Sequence, residues 1–147
     1  MDFNSEMDER YRKSVLVTVC TDDQIIGGEY ECSLALGEAT YKSGTAIVPT
    51  ATWHEIRRRG LYRADANVAF IPVENGKVTT RMLLDGKELP ASHVTIYVQA
   101  GHAYNIPSCV PAFDRSIGTS ETPRLELAIE GVTGNVVRTM LSTTKLA

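Results

Sequence analysis

Residues 14–20 alternate, with Val15, Val17 and Val19 on one side and Leu16 and Thr18 on the other. Both sides are partly apolar, which predicts a strand in the middle of a sheet. After a turn at Gly27-Gly28, residues 29–36 set Tyr30, Cys32, Leu34 and Leu36 against Glu31, Ser33 and Ala35, the pattern of a half-buried strand. Runs 66–73, 77–84 and 93–99 read as a meander. Asn75-Gly76 has the residues of a type I′ hairpin turn, Asp85-Gly86 repeats that signal, and Pro90 delays the return strand until about His93. Val94, Ile96 and Val98 then point inward. In 124–130, Leu125, Leu127 and Ile129 alternate with Arg124, Glu126 and Glu130, and Gly134-Asn135 turns this run into 136–142 as a closing hairpin. The core expected from these alternations contains Val17, Leu34, Val68, Phe70, Ile96 and Leu127.

One helix is predicted among the strands, over residues 52–60. Thr52 and Glu55 have the spacing of a capping box, and Gly60 suits the left-handed residue after a last turn. Trp53 and Ile56 give this helix a narrow apolar stripe, and Arg57, Arg58 and Arg59 fall where a helix dipole favours positive charge.

Two segments fit no regular element. Residues 1–13 read as a flexible charged arm: Asp2, Glu6, Asp8 and Glu9 precede Arg10, Arg12 and Lys13, and Phe3, Met7 and Tyr11 recur every fourth residue. Residues 100–123 hold Pro107, Pro111 and Pro123 with Gly101 and Gly118, and read as a long irregular loop. Loops of that length in a compact domain tend to reach towards something else. The fold expected from the whole is mainly β: an antiparallel β-sandwich or partly open barrel of about eight strands with one short α-helix, in a single domain over 14–147.

Composition bounds the chemistry. The chain has 147 residues, is 43% hydrophobic and 22% charged, and carries a net charge of -3, which suits one globular domain and argues against nucleic acid as the main partner. No apolar run is long enough for a membrane helix and the charged start is unlike a secretory signal, so a cytoplasmic protein, or one in a particle assembled in the cytoplasm, is expected. Cys20, Cys32 and Cys109 contain no C-x-x-C pair and read as free thiols. Motifs for nucleotide binding, serine hydrolysis and zinc peptidases are missing; His54-Glu55 begins H-E-x-x-H, but Arg58 stands where the second histidine belongs. His54 therefore reads as an exposed helix residue, His93 as solvated, and Asp22, Asp23 and Asp85 as turn residues. No cofactor or metal site is predicted.

The expected function is a non-enzymatic structural subunit that assembles with copies of itself or with other subunits, such as a phage or virus tail or head-completion component. Its contacts are expected at Phe3, Met7 and Tyr11 of the arm, at the basic group Arg57, Arg58, Arg59 and Arg63, and at Tyr104 and Phe113 of the long loop. One alternative is a binding module that grips a peptide, glycan or small molecule through 100–123. Another is a small enzyme using His102 and Asp114.

Overall fold

A computed structural model of the chain describes residues 13–27, 30–115 and 121–147. In chain order the strands are β1 (Val15–Cys20), β2 (Gln24–Ile26), β3 (Cys32–Ser33), β4 (Glu38–Ser43), β5 (Ile47–Pro49), β6 (His54–Ile56) and β7 (Leu61–Pro72). They continue with β8 (Gly76–Leu84), β9 (Lys87–Glu88), β10 (Val94–Val98), β11 (Tyr104–Asp114), β12 (Arg124–Gly131) and β13 (Gly134–Lys145). Sheet A has the order β11-β7-β13-β1-β4, with β2 also on β13. Sheet B has the order β10-β8-β12-β6-β5, with β3 on β12 and β9 on β8. The two antiparallel sheets pack face to face as a sandwich, and the core between them holds Leu16, Tyr62, Phe70, Met82, Leu127 and Leu141, each fully buried.

Alternation within the strands was a sound guide to the fold class, yet successive strands often enter opposite sheets. β7 pairs with β11 and β13, whereas β8 pairs with β10, β12 and β9. Asn75-Gly76 is thus a crossover between layers and not the expected hairpin turn; the Asn75 side chain accepts the Ala100 N–H at 2.8 Å. The same correction applies to Gly134-Asn135, since β12 lies in sheet B and β13 in sheet A. Gly134 is needed there because a Cβ would stand 2.4 Å from Cζ of Phe70. Asp85-Gly86 does form a hairpin: φ is 51° and 79° at the two residues, as a type I′ turn requires, and Leu84 pairs with Lys87.

The expected helix is replaced by β6 and its flanking turns. The described residues include no α-helix, and a 3₁₀ turn lies at Pro90–Ser92. His54 and Ile56 are both fully buried and alternate with Glu55, so the period here is two. Thr50, not Thr52, organises the approach: its hydroxyl oxygen accepts the Trp53 N–H at 3.0 Å. Pairing of β6 with β5 and β12 overrides the local helix signals.

Residues 100–123 are likewise not one irregular loop, because the 11-residue strand β11 runs through the middle of the span. Its prolines are compatible with a strand because β11 is the edge of sheet A, and the ladder shifts register between Val110 and Phe113, where Pro111 lies. Of the expected core, Leu34, Val68, Phe70 and Leu127 are buried, whereas Ile96 is half-buried and Val17 faces outward. Tyr30 is 79% exposed, against its expected inward position.

Candidate interaction face

The outward side of sheet A is assembled from residues that alternate with the core positions. Ser14, Leu16, Thr18 and Cys20 face in, so Val15, Val17 and Val19 face out. Register then fixes rows across the sheet. Arg63, Thr144, Val15 and Ser43 form one row, and Cys109, Asp65, Ser142, Val17 and Tyr41 the next. A third runs Pro107, Asn67, Met140, Val19 and Glu38, and near the other end Ile71, Asn135 and Ile25 lie side by side. The centre of this face is valine and methionine. Tyr41 and Ile25, 58% and 85% exposed, continue the apolar surface.

Around the strip of Val15, Val17, Val19 and Met140 the face is polar, with Arg63, Asp65 and Asn67 on β7 and Asn135, Ser142 and Thr144 on β13. Arg63 holds Asp65 through Nε at 3.0 Å, which keeps the Asp65 carboxyl below its usual range. Cys109 lies beside this pair; partial burial and the neighbouring carboxylate push its thiol up, so it is a poor nucleophile. The side-chain oxygens of Asn67 and Asn135 are covered yet have no hydrogen-bond partner among the described residues. A covered polar atom without a partner costs roughly 1–3 kcal/mol.

Sheet B presents the opposite surface. Arg81 forms ion pairs with Glu31 and with Glu88, the latter at 3.8 Å, and Glu88 also meets His93 Nδ1 at 2.6 Å. Thr79 bonds Thr95 at 2.8 Å, Ser33 donates to Glu126 at 2.6 Å, and the Arg124 guanidinium lies 4.3 Å from the Trp53 ring centroid. Most charged side chains here pair with one another, although the covered Trp53 indole N–H has no hydrogen-bond partner among the described residues.

The residues singled out from sequence are scattered by the fold. Phe3, Met7 and Tyr11 lie outside the described residues. Arg57 and Arg59 are exposed, and Arg57 pairs with Glu55 at 3.2 Å. Arg58 is half-buried and donates to the Thr45 hydroxyl at 3.2 Å. Tyr104 is half-buried and braces a turn, its hydroxyl accepting the Gln99 N–H at 2.8 Å. Phe113 is buried and stacks on Tyr62 at 5.9 Å, so it packs the core and offers no free surface. Burial pushes the Tyr62 phenol up to about 12, and that hydroxyl donates to the Arg58 carbonyl at 2.5 Å. His102 precedes β11 and Asp114 ends it, so a strand of roughly 35 Å separates them and the alternative catalytic pair is not brought together.

No family model matches the sequence, and no curated protein matches it. Solved structures do match, by fold. Murine APRIL superposes with a TM-score of 0.66 over 92% of this chain and 100% of its own, at 12% identity. The Eiger TNF of S. frugiperda gives 0.67 at 8% identity over 92% of each chain. The vertex protein P5 of PRD1 gives 0.60 at 12% identity, covering 90% of this chain and 72% of its own. The chain therefore has a jelly-roll sandwich like those of these proteins.

Sequence reasoning missed Val15, Val17, Val19 and Met140 as surface residues. The available signal was the first strand itself, apolar on both sides: one side faces the core and the other is the unpartnered outer face.

Proposed function

We propose that the chain is a non-enzymatic structural subunit whose outer sheet A face packs against further copies of itself within a cytoplasmic assembly or particle. The observation that carries this reading is the contrast between the two outer faces: valine, methionine and uncompensated asparagine oxygens on sheet A, a satisfied ionic network on sheet B. An apolar strip rimmed by polar residues is the composition of a protein interface. Fold likeness to a PRD1 vertex protein supports a place in a phage or virus particle.

The N-terminal arm serves as a second connector in this reading. β1 and β13 bring its exit near the basic residues: the Ser14 carbonyl accepts the Lys145 N–H, the Ser14 hydroxyl accepts the Ala46 N–H, and the Ala46 carbonyl accepts the Arg57 N–H. The acidic Asp2, Glu6, Asp8 and Glu9 of one copy can then meet Arg57, Arg58, Arg59 and Arg63 of a neighbour, since an extended arm of about a dozen residues reaches roughly 40 Å.

Sedimentation velocity on the full chain across micromolar concentrations tests this. A concentration-dependent oligomer is expected, weakened by deletion of residues 1–12 and by raised salt. A strict monomer throughout would overturn the reading.

A further inference from the structure

His54 is a fully buried histidine whose ring spans the sandwich. It projects inward from β6 of sheet B; Nε2 lies 2.7 Å from the Thr18 hydroxyl on β1 and Nδ1 lies 2.8 Å from the Thr143 hydroxyl on β13, both in sheet A. One ring nitrogen donates and the other accepts, and the two hydroxyls adapt to whichever tautomer is present.

The segment that carries this ring is held lightly by backbone pairing. β5 is the edge of sheet B, β5 and β6 share three residue pairs, and β6 meets β12 through Glu55 with Arg124 and His54 with Leu125; beyond these, the Ile56 N–H donates to the Pro123 carbonyl, the Leu36 N–H to the Ala51 carbonyl and the Ala46 N–H to the Ser14 hydroxyl. Ile47 and Ile56 add buried apolar contact. The histidine is therefore a polar tie between a short edge segment and the middle of the opposite sheet.

The surroundings disfavour a charged ring. The inward positions around it are Ser14, Leu16 and Cys20 on β1, Leu141 and Lys145 on β13, Leu125 and Leu127 on β12, and Ile47 on β5. Lys145 and the Cys20 thiol are the ionisable groups among them, and no carboxylate is present. Glu55 faces outward and is engaged by Arg57.

We propose that His54 is an acid-released latch: protonation of its ring frees residues 46–57 from sheet A while the long strands of the sandwich remain paired. Burial lowers the pKa of the closed ring to about 3, against 6.5 for an ordinary histidine. The sign follows directly. Well above pH 6.5 neither the closed nor the opened ring is protonated, and the latch has its full strength. As the pH falls from 6.5 towards 3 the opened ring takes a proton that the closed ring refuses, so opening gains up to tenfold per pH unit. Between pH 7.5 and 5.0 the opened population should rise about 30-fold.

Hydrogen exchange on the full chain at pH 7.5 and 5.0, corrected for intrinsic rates, tests the latch. Amides of 46–57 should lose about 30-fold in protection at pH 5.0 relative to those of β7 and β13. His54→Gln keeps an amide in the space and should make the segment insensitive to this pH change. Equal loss in all strands, no loss in 46–57, or an acid response in His54→Gln equal to that of the wild type would overturn the proposal. If His54→Gln does not fold, NMR of the wild-type ring decides: a ring that titrates between pH 5 and 7 while 46–57 stays protected overturns it, and one that stays neutral in the protected state upholds it.

Discussion

The outer faces of sheets A and B have the same alternation behind them and opposite surface chemistry. On sheet B the outward positions of β8, β10 and β12 include Lys77, Thr79, Arg81, Thr95, Tyr97, Arg124, Glu126 and Glu130 beside Leu83 and Ala128, and ion pairs and hydroxyl bonds around Arg81, Glu88 and Thr95 join several of them. On sheet A the outward positions of β1 are three valines, and Met140 of β13 continues them. An antiparallel sheet with one wet face is expected to place polar residues there. Sheet B largely obeys, and sheet A departs from the rule at β1 and at Met140. The difference teaches that the inner layer of such a sandwich cannot be recognised by hydrophobicity alone, because the outer side of β1 is as apolar as its inner side.

This comparison can be broken or sharpened by substitution. Phe70, fully buried between the sheets, belongs to neither outer face, and Phe70→Ala should lower the stability of a single subunit by about 3–5 kcal/mol in a urea titration. A loss below about 1 kcal/mol would mean that the subunit owes its stability to its contacts and not to its core. Val17→Glu places a charge at the centre of the sheet A face. We expect self-association to weaken about 100-fold, equivalent to about 2.7 kcal/mol, with the melting temperature of the isolated subunit nearly unchanged. Unaltered sedimentation would remove sheet A as the contact. Arg81→Ala cuts the sheet B network and should cost about 1 kcal/mol or less in stability, without effect on assembly. Lost assembly in this variant would reverse the roles of the two faces. Arg59 has no hydrogen bond or ion pair among the described residues, so Arg59→Ala should alter subunit stability by less than about 0.5 kcal/mol. A salt-sensitive loss of assembly in the same variant would point to the acidic arm.

Strand content was readable because period-two burial is a local property: Leu125, Leu127 and Ile129 alternate in the sequence and are buried in the fold. Strand pairing was less readable, since Asn75-Gly76 and Gly134-Asn135 carry hairpin residues but connect opposite layers. Their neighbours in space come from elsewhere in the chain, and no local window contains them. The short strand at His54 was hidden by capping residues and three arginines, and only its pairing with β5 and β12 makes it β. For β11 the prolines misled, because their tolerance depends on an edge position that the sequence does not state. The candidate interaction face was visible only as an ambiguity, a first strand apolar on both sides. Choosing which side was the core required knowing that Thr18 meets His54.

The central place of β13 has a temporal consequence. This last strand lies between β7 and β1 and pairs Thr144 with Val15, so the first strand of sheet A waits for the last to be made. A chain still emerging from the ribosome can join β8 to β10, but it cannot close sheet A until residues 134–145 are free. Such distant pairings carry a large loop-closure cost and slow folding, and during that delay β1 and β7 each lack a neighbour. Truncation within the last dozen residues should therefore remove the centre of the sheet, a far greater disruption than the loss of a tail.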